Sequence, residues 1–307
     1  MRPSLPPLAV IAGPTASGKS ALALELAQRS GGVIVNADSA QIYRDLPILS
    51  ASPSPEELSQ AEHRLYGVLD GSTACSAADW AAMARREVEE IQGSGRLPIL
   101  VGGTGLYLRT LLDGIAPVPR INPDVRAQVR QATVEENRRR LMEFDPQAAE
   151  RLNANDSTRI GRALEVVLST GRTLQQWQEA KAGGIAGNVE LKPIILLPRR
   201  DWLYDRCDLR FARMIDSGGI SEVERLLVRQ LDPSLPVMRA IGVPEVRAFL
   251  SGDSNREEMI AAGQQATRNY AKRQYTWFAH QPPSEWPRFG QPLENSAIGE
   301  ALTLLGG

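Results

Sequence analysis

The chain has 307 residues, 42% of them hydrophobic and 23% charged, with a formal net charge of −1. At roughly 100–200 residues per domain, this admits one large globular domain or two. It excludes a strongly basic nucleic-acid binder, so any RNA contact must draw on positive charge gathered on one face.

The N-terminal residues Met1-Arg2-Pro3-Ser4-Leu5-Pro6-Pro7 lack the apolar stretch of a secretory leader. The longest apolar runs, such as 98–101 and 194–197, are far too short to cross a bilayer. Cys75 and Cys207 are not spaced as a metal pair, and His63 and His280 are too few for a histidine site. A soluble protein of the reducing cytoplasm, without a disulfide framework, is the expectation.

In chain order, Leu8-Ala9-Val10-Ile11-Ala12 reads as a buried parallel strand, since no polar residue alternates within it. A loop over 13–20 leads into a helix whose apolar face carries Leu22 and Leu26, and Gly31-Gly32 ends it. Further strands are expected at 32–36, 97–101 and 193–197, with a helix over 77–92. Strands alternating with helices predict an α/β fold, a parallel sheet flanked by helices on both faces. From Asn122 to about Ala180 the chain is rich in Arg, Glu, Gln and Ala and reads as several helices, one capped by Asn155-Asp156-Ser157. Residues 182–187 look like a flexible return. The expected organisation is a core of 1–119 and 189–280, a helical insertion domain of 120–188 and a tail of 281–307.

Gly13, Pro14, Thr15, Ala16, Ser17, Gly18, Lys19 and Ser20 match G-x-x-x-x-G-K-[ST] between a strand and a helix. That context makes the segment a P-loop. Its N–H groups and the helix N-terminus would cradle a polyphosphate, Lys19 would neutralise phosphate oxygens and the Ser20 hydroxyl would bind Mg²⁺. The fold is therefore expected to be P-loop NTPase-like. The motif leaves the reaction open.

Ligands of parallel sheets lie beyond the carboxyl ends of the strands, which brings Asp38, Ser39 and Thr104 towards the loop. Asp38 has three open roles: metal support, general base, or helix cap for 40–43. The strand at 97–101 runs into Gly102-Gly103-Thr104-Gly105 instead of an acid. Such a turn suits close approach to a ligand, or is simply a tight turn. After the last strand, Arg206, Arg210 and Arg213 share a helical stripe beside Leu203, Cys207, Phe211 and Met214. A charge row is commonly just a solvated face, and Asp201, Asp205 and Asp208 are near enough in sequence to pair with it. Residues 267–278 interleave basic and aromatic side chains. That suits stacking on unpaired bases and an ordinary amphipathic helix about equally.

Taken together, six segments resemble the tRNA dimethylallyltransferase (IPP transferase) family. They are the P-loop; Asn36-Ala37-Asp38-Ser39-Ala40-Gln41-Ile42-Tyr43; the 98–107 segment around Thr104; Arg162-Ala163-Leu164-Glu165-Val166; 235–242; and Ala271-Lys272-Arg273-Gln274-Tyr275-Thr276-Trp277. The resemblance implies dimethylallyl diphosphate as donor, held by the P-loop, and the exocyclic amine of the tRNA adenine 3′ of the anticodon as acceptor. It implies Asp38 as general base, with Thr104 and Arg210 as further catalytic residues. Asp38, Ser39, Ala40, Gln41 and Thr104 would meet the target nucleotide. Arg126, Thr158, Arg159, Ile160, Gly161 and Arg162 of the insertion would grip the anticodon stem-loop. A monomer is expected. The chain departs from the family at Ser20, where Thr is commoner, at Thr158, where Gln is usual, and at Leu49-Ser50-Ala51-Ser52, which replaces Gly-Thr-Ala-Lys.

Two rivals share parts of this pattern. A P-loop kinase of a small metabolite needs the loop and an acid near Asp38, but not the basic insertion. A nucleotide-switched RNA-binding module needs no general base, so Asp38, Thr104 and Arg210 argue against it.

Overall fold

The computed structural model describes residues 4–293 and 295–306. Its elements run β1 (Pro7–Ala12), α1 (Lys19–Ser30), β2 (Val33–Asn36), α2 (Pro55–Gln60), β3 (Glu62–Arg64), α3 (Ala77–Gly93), β4 (Pro98–Gly102) and α4 (Gly105–Asp113). There follow β5 (Gly114–Ile115), α5 (Pro123–Gln131), α6 (Val134–Phe144), α7 (Pro146–Arg151), α8 (Ser157–Thr170), α9 (Leu174–Gln178) and β6 (Ala182–Gly183). The chain ends with β7 (Glu190–Leu196), α10 (Arg200–Met214), α11 (Ile220–Val228), α12 (Val243–Leu250), α13 (Arg256–His280), β8 (Arg288–Phe289) and α14 (Asn295–Leu304). Two compact units part at Leu111/Leu112 and at Gly184/Ile185.

The first unit is built on a six-stranded sheet of order β3-β2-β4-β1-β7-β8, with every neighbouring pair parallel. All residues of β2 and β4, and all but the first of β1, are buried, as continuous apolar runs between two helical layers require. The main core cluster sets Ile11, Ile34, Ile99 and Ile194 of the sheet against Leu22 and Leu26 of α1 and Ala301 and Leu302 of α14. The expected start of the last long strand was Pro193; β7 begins earlier, at Glu190. Pro193 is tolerated because β8 pairs only with Ile195 and Leu196, leaving β7 an edge at the proline.

The short strands carry no apolar run. β3 is Glu62-His63-Arg64, a charged edge strand of the kind that discourages pairing with another chain. Arg64 is held by Glu62, Glu87 and Glu90. The segment after residue 281 adds β8 to the sheet and lays α14 against α1.

In the second unit, α5 to α8 enclose their own core of Val129, Leu141, Ala149, Ile160 and Leu164. Asp156 caps α8, its carboxylate accepting from the Arg159 N–H at 3.0 Å. The flexible return expected at 182–187 needs correction. Ala182 and Gly183 pair antiparallel with Ile115 and Gly114, so the chain leaves and re-enters this unit through a two-stranded ribbon.

Candidate active site

Three strand ends build the site. Beyond β1 the phosphate loop curls so closely that a Cβ on Gly13 (φ 149) would lie 2.5 Å from the Leu196 carbonyl oxygen. Ala16 holds a left-handed conformation (φ 62), which costs a residue with a Cβ roughly 1–2 kcal/mol. Arg206 steadies it, donating from Nε to the Ala16 carbonyl at 3.0 Å while its guanidinium lies 4.7 Å over the Trp202 ring. Lys19, the first residue of α1, is buried and donates from Nζ to the Pro14 carbonyl at 2.6 Å. Burial lowers its pKa to about 8, an effect that Asp38 partly offsets. Ser17 is buried with its hydroxyl lacking a protein partner. Ser20 is exposed and borders a small polar cavity of about 30 Å³ with Gln41, Glu57, His63 and Tyr66.

Beyond β2, Asn36 fixes the backbone of Asp38. Its Oδ1 accepts from the Asp38 N–H at 2.7 Å, and its Nδ2 donates to the Asp38 and Leu65 carbonyls, each at 3.0 Å. The Trp80 indole donates to the Asn36 carbonyl at 2.9 Å. Asp38 Oδ1 accepts from the Ala40 N–H at 3.0 Å, so the carboxylate closes a turn. Residues 40–43 form no helix, which removes the helix-cap role. Gln41 turns away, donating to the Ser50 and Ala51 carbonyls at 3.1 and 2.6 Å.

Beyond β4, Thr104 Oγ1 accepts from the Ser39 N–H at 2.9 Å and donates to Ser39 Oγ at 3.2 Å. The Tyr270 phenol lies beside the same Thr104 and Ser39 hydroxyls, which pull its pKa down against the effect of burial. Burial, with Asp38 nearby, pushes that phenol well above its usual pKa, so it stays protonated.

These strand ends meet at a cavity of about 320 Å³, at the small end of the 300–1,000 Å³ usual for small-molecule sites. Thr15, Asp38, Ser39, Ala40 and Arg210 line it, and Thr104 reaches it through Ser39 and Tyr270. Its apolar wall is Leu46, Leu49, Phe211, Met214 and Val237. Tyr43, Tyr107 and Tyr270 add aromatic surface, and Arg239 and Arg273 add charge. Arg210 sits in the field of Asp38, which opposes the drop in its pKa caused by burial. Two of the three acids near the arginine stripe pair elsewhere: Asp208 with Arg268 at 2.5 Å, and Asp201 with Arg199. Gln274, Arg239 and Arg273 lie within matched segments and Tyr270 lies just before one; the basic and aromatic pattern of 267–278 took in Tyr270 and Arg273, but nothing in residue type marked Gln274 or Arg239.

In the second unit, Arg126, Arg130 and Arg162 gather at 3.8, 3.7 and 3.8 Å around the carboxylate of Glu165, whose side chain is only 9% exposed. Thr158 is exposed, and Arg159 is exposed beside Asp156 at 3.2 Å. Ile160 and Gly161 are buried in this unit's core, so their side of α8 faces inward.

Comparison with known proteins bears directly on this arrangement. The family model described as IPP transferase matches residues 41–281. The chain belongs to the IPP transferase family. It is 60% identical over 292 residues to the tRNA dimethylallyltransferase of Sphingopyxis alaskensis, covering 95% of each chain. It is 58% identical to that of Erythrobacter litoralis, covering 92% of this chain and 91% of the relative. Among solved structures it resembles the full-length tRNA isopentenylpyrophosphate transferase of Bacillus halodurans, with a TM-score of 0.70 and 31% identity over 98% of this chain and 97% of that one. A eukaryotic dimethylallyltransferase acting on tRNA gives a TM-score of 0.76 at 27% identity, over 89% of this chain and 69% of that one. The IPP transferase assignment agrees with the mostly parallel, P-loop NTPase-like core expected from the sequence.

Proposed function

We propose that the chain transfers a dimethylallyl group from dimethylallyl diphosphate to the exocyclic amine of the adenine just 3′ of the anticodon in tRNA. One observation carries this reading: Thr15 of the phosphate loop, Asp38 and Arg210 line one cavity with a substantial apolar surface, and Lys19 of the loop feels the charge of both Asp38 and Arg210. A diphosphate suits the loop, a five-carbon chain suits the wall, and a purine amine suits the carboxylate. The orphaned Ser17 hydroxyl and the buried Lys19 ammonium are groups that an anion would satisfy.

In the reaction, the allylic carbon–oxygen bond breaks and its electron pair leaves with the diphosphate. The amine nitrogen forms the new bond to that carbon and gives up a proton. Lys19 and Arg210 stabilise the charge that grows on the leaving group, in a setting where burial strengthens the interaction. Asp38 takes the amine proton, a contribution of about 10²–10⁴ in rate. Asn36 and the Ala40 N–H hold that carboxylate in place, and Thr104, Ser39 and Tyr270 form the adjoining hydroxyl cluster. The adenine must leave its stack; in an unpaired loop this costs at most a few kcal/mol. The apolar wall limits the water that would otherwise hydrolyse the donor.

By its place in the motif, the Ser20 hydroxyl would hold Mg²⁺, which would neutralise the leaving diphosphate; Ser20 is exposed and borders the smaller polar cavity. Among the described residues no group of three or more His, Cys, Asp or Glu forms a metal site, so the donor's own oxygens would supply most of its ligands. Arg126, Thr158, Arg159 and Arg162 contact the RNA in this reading, and Ile160 and Gly161 contribute through the backbone they place. A tRNA substrate puts the work in the cytoplasm. Among the described residues no helix is long and apolar enough to cross a membrane.

The test is incubation with Mg²⁺, dimethylallyl diphosphate and unmodified tRNA, followed by mass spectrometry of the nucleosides. Parallel tubes hold ATP and small metabolites. Isopentenyladenosine in the first reaction is the expected result. Its absence, with phosphoryl transfer in the ATP tubes, would favour the metabolite kinase.

A further inference from the structure

Gln274 sits on α13, far in sequence from both the phosphate loop and the Thr104 turn, yet its side chain touches each. Its Oε1 accepts from the Thr15 N–H at 2.8 Å, and its Nε2 donates to the Gly103 carbonyl at 2.9 Å. The residue is only 5% exposed. The approach to the turn is so close that a Cβ on Gly103 would lie 2.2 Å from the Gln274 amide nitrogen, which explains a glycine there. The residues around Gln274 on α13 reinforce the link. Ala271 shares a buried cluster with Ala16 of the loop, and Tyr270, four residues before Gln274, lies beside the Thr104 and Ser39 hydroxyls.

We propose that Gln274 is a positioning residue that sets the spacing between the diphosphate-holding loop and the turn presenting Thr104 and Ser39. This rests on the function proposed above. The amide suits the task because one planar group supplies both an acceptor and a donor. Both partners are main-chain groups, so the bonds fix backbone positions rather than side-chain rotamers. An in-line displacement needs donor carbon and acceptor nitrogen near 3–3.5 Å, and a shift of about 1 Å can cost a hundredfold in rate. Gln274 acts through the loop and the turn.

Two substitutions test this. Gln274→Met keeps length and volume but makes neither bond. Gln274→Glu restores both when protonated, since a carboxylic acid accepts through one oxygen and donates from the other, and loses the donor when ionised. Three readouts follow: kcat with the donor KM, the affinity for inorganic pyrophosphate with Mg²⁺ by calorimetry, and the pH profile. For Gln274→Met the expected result is a fall in kcat of about 10–100-fold. Its pyrophosphate affinity should weaken about five- to tenfold, the worth of one lost hydrogen bond. For Gln274→Glu, activity relative to wild type should be highest at the acid end and decline as the carboxyl ionises. Values within twofold of wild type for Gln274→Met, or a relative profile flat with pH for Gln274→Glu, would overturn the proposal. If Gln274→Met does not fold, the Gln274→Glu profile decides alone. Pyrophosphate binding is independent of tRNA chemistry. A wild-type chain that binds pyrophosphate but prenylates no tRNA would refute the proposed function, while the Gln274→Met affinity would still judge the positioning role.

Discussion

At the scale of single residues, the site works by burying charge next to opposite charge. Lys19 is kept out of water, and Asp38 is the group that most favours its protonated form. In the free protein it loses its proton near pH 8. Below that pH the ammonium is present to meet the proposed diphosphate; above it the charge is gone. The kcat/KM for the donor, which reports the free enzyme, should therefore fall as pH rises through about 8. A pH–rate series with the donor limiting checks this, and a level profile well into the alkaline range would exclude the buried-lysine account. Lys19 was legible in the sequence from the P-loop motif, whereas Asp38 and Arg210 stayed open on position alone and drew their expected roles from the family resemblance. Gln274 was not legible, since its role depends on contacts across the fold and a glutamine carries no chemical signature; Tyr270 stood out only as part of the basic and aromatic stretch 267–278. Gln41, expected beside the nucleotide, donates its amide N–H groups to two loop carbonyls.

At the scale of elements, the active cavity depends on the packing of α10 against α13. Gly263 lets them meet: a Cβ there would lie 1.9 Å from the Phe211 ring, and Phe211 also lines the cavity. Gly263→Ala should destabilise the fold by about 1–3 kcal/mol, the usual cost of overpacking. Chemical denaturation would show a lower midpoint, and activity should fall with it because the ring is displaced into the cavity wall. An unchanged midpoint would mean that the helices can separate at little cost. The elements that sequence reading recovers are those with long apolar runs, β1, β2, β4 and β7. It misses β3 and β8, which take their strand character from a neighbour rather than from their own residues. β3 is charged because it is an edge, and β8 is only two residues long.

At the scale of the whole molecule, a net charge of −1 is compatible with RNA binding only if cations are concentrated. The second unit does this: three arginines surround one buried carboxylate and leave an excess of positive charge. If Arg126 and Arg162 contact phosphates, replacing both by Ala should weaken tRNA binding. The slope of log affinity against log salt should drop by about 0.7–0.9 per lost contact. Pyrophosphate affinity should be unaffected. A salt titration of tRNA binding measures this, and an unchanged slope would move the RNA contacts elsewhere.

In the proposed reaction, Asp38 receives the amine proton. The direct test is a single-turnover reaction with tRNA and prebound dimethylallyl diphosphate, comparing wild type with Asp38→Asn. The account predicts prenyl transfer slowed by about 10²–10⁴ with pyrophosphate affinity little changed. A variant that transfers the prenyl group at the wild-type rate would contradict it.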